Sequence, residues 1–210
     1  MTQYDNPQSP IANRQFIMRS RSAIIFDLDG TLTRPYLDFD GIRAEIGLLK
    51  GPILEGIERL PEAERVRAHH ILENHERRAA EGSELQEAAA EVIATCRAAG
   101  HPVAIMTRNS RVCTDHVLRM HRLTVDFIRT RDDGAIKPSP EPVHAICKSL
   151  STDAVRSWVI GDYLFDIQSG ARAGTGTVLM IGDDERPAYA AEANHVIRRL
   201  SELLRILEID

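Results

Sequence analysis

Very little in this chain points toward a polyanion, an oxidising compartment or a bilayer. Its 31 acidic side chains outnumber 26 basic ones, for a formal net charge of −5, so no overall positive field gathers nucleic acid or anionic lipid. Cysteine is scarce: Cys96, Cys113 and Cys147 are odd in number and far apart. They lack the spacing of zinc ligands or a redox pair and read as buried thiols in a reducing cytosol. No stretch of Met1 to Ser22 is apolar and long enough for a secretory signal or a membrane span. Cytoplasmic residence is therefore the default expectation, and the first dozen residues, with little to bury, are expected to be poorly ordered. Repeats and low-complexity tracts are also missing. What is present is an ordinary globular composition, 43% hydrophobic and 27% charged over 210 residues. That suffices for one domain, or one with an insertion, and favours a small-molecule substrate.

The chain is organised around Ile24-Ile25-Phe26-Asp27-Leu28-Asp29-Gly30-Thr31. A short apolar run ending in two aspartates is the pattern of a buried strand that delivers carboxylates to a sheet edge, with a turn beginning at Gly30. Acids this close repel, so a metal cation, a shared proton, or both are expected. Beyond them, Ile42, Ile46, Leu49, Ile53, Ile57 and Leu60 recur at near-helical spacing, and a charged helical run extends from Glu62 to Ala80. This reads as an inserted cap of two or three helices over residues 35–82, dividing an α/β core of residues 1–34 and 83–210.

From Leu85 helices and strands alternate. A helical stripe from Leu85 to Cys96 stops at Gly100, and strands are predicted at 102–106, 125–128, 158–160 and 177–181. Helices are predicted at 111–121, 140–150, 166–173 and 201–207. The fold class is α/β: a doubly wound parallel sheet with a Rossmann-like core, right-handed crossovers and ligands beyond the carboxyl ends of the strands.

Three further sites lie at or near those ends. Thr107, Arg108 and Asn109 follow Ile105-Met106, where a hydroxyl and backbone N–H groups suit phosphate oxygens. A bland role for Thr107 is helix capping, which Asn109 and Ser110 perform better. Lys137 precedes the proline-rich run Pro138-Ser139-Pro140, which restricts the freedom of its ammonium. Gly161-Asp162-Tyr163-Leu164-Phe165-Asp166 presents two acids four apart after a strand. A helix dipole alone accounts for Asp166, though not for the whole set.

Taken in order, Asp-x-Asp-Gly-Thr, the strand-ending Thr107, Lys137-Pro138 and Gly-Asp-x-x-x-Asp resemble the four motifs of the haloacid dehalogenase superfamily. The helical insertion after the first motif is similar to its phosphoglycolate phosphatase-like group. The resemblance implies a phosphatase for small phosphate monoesters, with Asp27 as nucleophile forming an aspartyl-phosphate and Asp29 as general acid and base. Thr107 and Lys137 complete the implied catalytic set. Thr107, Arg108, Asn109 and Lys137 are expected to contact substrate. Mg²⁺ is the implied cofactor, held by Asp27, Asp162, the Asp29 carbonyl and Asp166, the last either through water or as an anchor for Lys137. Hydrolytic dehalogenases lack an aspartate at the place of Asp29, which turns the expectation away from haloacids. A phosphomutase shares all four motifs, and a non-catalytic binding module retaining the fold is the alternative of another kind.

The expected partner is a small phosphorylated metabolite, with no nucleic acid and no membrane, and the sequence carries no signal of oligomeric state. In the cap, Arg43 and Lys50 are the cations to consider for a substrate carboxylate or second phosphate, though solvated helix charge is the favoured reading of both. His69, His70 and His75 lack the i, i+4 spacing of helical metal ligands and read as surface residues. Arg129 and Arg131 border the same strand ends as Arg108.

Overall fold

The computed structural model describes residues 21–209. The expectation about the first dozen residues lies outside them. Six parallel strands form one sheet: β1 (Ile24–Phe26), β2 (Val103–Met106), β3 (Phe127–Arg129), β4 (Trp158–Gly161), β5 (Gly176–Met180) and β6 (His195–Ile197), in the order β3-β2-β1-β4-β5-β6. β1 occupies the centre, with Ile25 in register with Ala104 on one side and Val159 on the other.

A strand covered on both faces must be apolar throughout, and β1 is: Ile24, Ile25 and Phe26 are fully buried. Its alternation divides the core. Ile24 and Phe26 join Val103, Ile105, Ile160 and Val178 on one face, beneath the helices α4 (Ala89–Ala98), α5 (Arg111–Met120) and α8 (Glu202–Ile206). Ile25 joins Ala104, Met106 and Val159 on the other, against α6 (Glu141–Leu150) and Ala173 at the end of α7 (Leu164–Ala173).

Between β1 and α4 come three helices, α1 (Phe39–Ile46), α2 (Ile53–Glu58) and α3 (Glu62–Glu81). Asp38 caps the first, accepting the Gly41 N–H at 2.9 Å. The three share an apolar cluster of their own, with Ile42, Ile46, Ile53, Ile57, Ala68, Ile71 and Leu72 at its centre. α3 also packs against α5.

Two details differ from the sequence reading. The helix expected from Leu85 begins at Ala89, because the preceding residues are held extended: Leu85 forms a bridge with Thr33, and the Gln86 N–H donates to the Leu32 carbonyl at 2.9 Å. The sheet also has a sixth strand, β6, an edge strand whose three residues His195-Val196-Ile197 carry no apolar run like that of β1.

Candidate active site

Strand order reverses direction between β1 and β4, the topological switch point where open α/β sheets form ligand crevices. The segments that follow these strands carry Asp27 and Asp162. The Asp27 N–H continues the ladder by donating to the Ile160 carbonyl at 2.8 Å, so the acid leaves the sheet in a fixed direction. The chain then turns tightly, with the N–H groups of Thr31, Leu32 and Thr33 converging on the Leu28 carbonyl. Gly30 is required in this turn on two counts. Its φ is +86°, and a Cβ there would lie 2.2 Å from Asp162 Oδ2. Gly161 is equally constrained, since its Cβ would meet Asp166 Cγ at 2.1 Å. Gly30 thus admits an acid from a distant motif, and Gly161 admits the second acid of its own motif.

Lys137 is the hub. Its Nζ lies 2.7 Å from Asp27 Oδ1 and 2.6 Å from Asp166 Oδ1, and it is almost fully buried. The two carboxylates outweigh the penalty of burial and raise its pKa, so it stays cationic. Burial and the charge of Asp27 push the Asp166 carboxyl up, with Lys137 and the Tyr163 N–H pulling the other way. Asp162 is raised well above the usual carboxylate range by burial and by the charges of Asp27 and Asp166. Carboxylate oxygens of Asp27, Asp162 and Asp166 lie within 4.8 Å of one another. One ammonium does not balance three buried acids, and a hard divalent cation fits this donor set.

Asp29 is held apart from that cluster. Its Oδ2 accepts from Asn109 Nδ2 at 3.0 Å. Burial, reinforced by the charge of Asp27, pushes its pKa up to about 6. Thr107 is buried, and its Oγ1 accepts the Asn109 N–H at 3.1 Å. Ser110, not Thr107, caps α5.

The six residues Asp27, Asp29, Thr107, Lys137, Asp162 and Asp166 therefore line one cavity of about 580 Å³, together with Arg108 and Asn109. Arg108 is heavily engaged within the protein. Its guanidinium pairs with Glu55 of α2 at 2.6 Å, donates to the Lys137 carbonyl and stacks over Phe165, 4.9 Å from the ring centroid. Sequence reasoning missed Glu76, a buried acid on α3 that pairs with Arg131 and leaves Oε2 without a hydrogen bond among the described residues. The available signal was its place in the buried stripe Ala68, Leu72, Glu76, Ala80. Also unanticipated is Thr31, which donates to Asp162 Oδ1 at 3.3 Å. Arg43 pairs with Asp40, and His69, His70 and His75 each lie beside a glutamate at the surface of α3. All three cysteines are buried and free.

Fold and site together define a Rossmann-like α/β enzyme core with an acidic, lysine-bridged centre at its switch point. The family described as haloacid dehalogenase-like hydrolase matches residues 44–181. An N-acetylmuramic acid 6-phosphate phosphatase of Pseudomonas putida is 30% identical over 189 residues, covering 76% of this chain and 82% of the relative. A Haemophilus somnus structure described as a predicted phosphoglycolate phosphatase superposes with a TM-score of 0.72 at 18% identity, covering 90% of this chain and 99% of that one. The hydrolase YfnB of Bacillus subtilis, solved bound to magnesium, has a TM-score of 0.66 at 21% identity and covers 91% and 100%. The chain belongs to the haloacid dehalogenase-like hydrolase family. Among the described residues no helix is long and apolar enough to cross a membrane.

Proposed function

We propose that the chain hydrolyses a small phosphate monoester in two displacements at phosphorus, with Asp27 as the nucleophile. The observation that carries this reading is the placement of Lys137 between Asp27 and Asp166, with Asp29 beside them and hydrogen-bonded to Asn109. In the first step an Asp27 carboxylate oxygen bonds to phosphorus and the ester P–O bond breaks. Asp29, whose affinity for a proton exceeds that of an ordinary aspartate, gives its proton to the departing alkoxide. In the second step Asp29 takes a proton from water as the water oxygen bonds to phosphorus. The bond to Asp27 breaks and inorganic phosphate leaves.

Lys137 and the Thr107 hydroxyl bind and orient the phosphoryl oxygens, and Thr31 orients Asp162. Asp27, Asp162 and Asp166 are suited to hold Mg²⁺, with the Asp29 carbonyl as a further donor; the ion would add charge neutralisation at the phosphoryl group. The magnesium-bound fold neighbour supports this choice of ion.

Residues 35–82 serve, in this reading, as a helical cap inserted in a core of residues 1–34 and 83–210, supported by their separate apolar cluster. A cytoplasmic location is supported by the three free thiols.

The test is a single-turnover reaction in Mg²⁺ quenched with hydroxylamine. A hydroxamate on the peptide carrying Asp27, missing from Asp27→Asn, is the expected result. Turnover in excess EDTA equal to that in Mg²⁺ would remove the metal from the scheme.

A further inference from the structure

Exposed large hydrophobic residues are unevenly distributed. Of the eight among the described residues, four border the single cavity that holds the carboxylates: Tyr36 (59% exposed), Phe39 (53%), Leu49 (99%) and Tyr163 (52%). Phe165 lies behind Tyr163, the two rings meeting edge to face at 5.1 Å between centroids. The aromatic residues flank the mouth from two segments, Tyr36 and Phe39 at the entry to α1, and Tyr163 and Phe165 at the turn after β4 and the first turn of α7. Apolar surface gathered at a cavity mouth marks a ligand face.

All but one of the cations along the same walls are already taken. Arg43 pairs with Asp40 and donates to the Gly51 carbonyl; Arg108 pairs with Glu55; Lys137 is shared by Asp27 and Asp166. Behind the wall, Arg131 is bound to Glu76. The exception is Lys50, which is exposed in the loop after α1, lines the same cavity and has no ion pair among the described residues; a solvated ammonium on an exposed loop is a weaker anchor for a carboxylate than a buried guanidinium. Asp40 and Glu76 add acids to the lining. A carboxylate on the leaving group would enter this space with no unoccupied guanidinium to receive it, and a buried anion without such a partner is strongly disfavoured. The volume, about 580 Å³, also falls within the range of roughly 300–1,000 Å³ typical of sites for ligands far larger than a two-carbon acid.

We infer that the alcohol released by this enzyme bears an uncharged ring, of the sugar or aryl kind, seated against Tyr36, Phe39 and Tyr163, and that carboxylated esters such as phosphoglycolate are poor substrates. The inference rests on the phosphatase reading and deepens it. The ring face is the shared chemistry of both sources, since a sugar presents C–H groups and an arene its π face to the aromatic side chains.

Two measurements separate the inference from the reading beneath it. Turnover by the wild-type enzyme in Mg²⁺ is compared for glucose 6-phosphate, phenyl phosphate, phosphoglycolate and 6-phosphogluconate. Binding of the same four to Asp27→Asn is measured by calorimetry. The better of the two ring esters is expected to exceed both acids by about tenfold in kcat/KM and in affinity. Whichever ring ester leads identifies the source. In Tyr36→Ala/Phe39→Ala that preference ratio is expected to fall about tenfold. A carboxylated ester that matches or beats both ring esters in binding overturns the inference, as does an unchanged ratio in the double variant. Should none of the four be turned over while the binding order holds, the phosphatase reading fails and the ring preference stands.

Discussion

The two walls of the cavity are held by different means. On the sheet side, each acid or hydroxyl leaves a strand end or the first turn of a helix, and the groups interlock: Lys137 with Asp27 and Asp166, Asn109 with Asp29, Thr31 with Asp162. Glycines at positions 30 and 161 admit this closeness, and a single methyl at either would collide with a carboxylate. On the helical side, α1 to α3 pack on a core of their own, and the residues turned to the cavity are aromatic, exposed or paired among themselves. Two ion pairs bridge the walls, Glu55–Arg108 and Glu76–Arg131. Under the proposed function the chemistry falls to the sheet edge, and selection of the leaving group falls to the aromatic mouth, where Tyr36 and Phe39 of the helical side face Tyr163.

The sharpest way to break this contrast is Asp27→Asn. Turnover is expected to fall on the order of 10⁴-fold or more while circular dichroism stays native, because a reacting atom is lost and little packing changes. A variant within tenfold of wild type would remove the sheet edge as the seat of chemistry. Next in size is Lys137→Met. Without the ammonium, buried Asp27, Asp162 and Asp166 repel one another unrelieved, and metal-free stability in urea is expected to drop by about 3–5 kcal/mol. A stability equal to wild type would show that these acids are already neutral.

Glu76 probes the seam between the walls. Burial, with added repulsion from Asp29 and Asp132, outweighs Arg131 and pushes its pKa from 4.5 to about 7. The folded protein therefore binds a proton that the unfolded chain has released. The stability this contributes is fully present below about pH 4.5 and disappears as pH rises through about 7. Relative to Glu76→Gln, wild type should lose on the order of 3 kcal/mol between pH 4.5 and 8, read by urea denaturation. A difference between the two proteins that is flat with pH would place Glu76 outside the coupling. The smallest effect is expected of Glu55→Ala. That pair is partly exposed, so stability should change by roughly 1 kcal/mol or less. Because Arg108 also holds the Lys137 carbonyl, KM should rise more than kcat falls; a loss confined to kcat would make Arg108 part of the chemical step.

Most of the sheet side was legible beforehand. Ile24-Ile25-Phe26 could only be a doubly covered strand, and a motif confined to a few consecutive residues carries its own local geometry. Less visible were β6, an edge strand without an apolar run like that of β1, and the start of α4, delayed because Leu85 pairs with Thr33. Arg108 shows why the helical side was harder to read. A cation after a strand end suits phosphate, yet its partner Glu55 stands 53 positions away in another helix. Arg43, by contrast, is held within its own helix by Asp40, three residues earlier.

The sequence by itself determined the parallel sheet, the identities of Asp27, Asp29, Thr107, Lys137, Asp162 and Asp166, and the kind of reaction they suit. These follow from local pattern, since strand ends and their turns are set by neighbouring residues. Tertiary structure alone decided that Lys137 bridges Asp27 to Asp166, that Asn109 holds Asp29, and that Arg108 and Arg131 are spent on Glu55 and Glu76. Charge pairing depends on distance in space, and segments far apart in the chain become neighbours only when the helices close over the sheet.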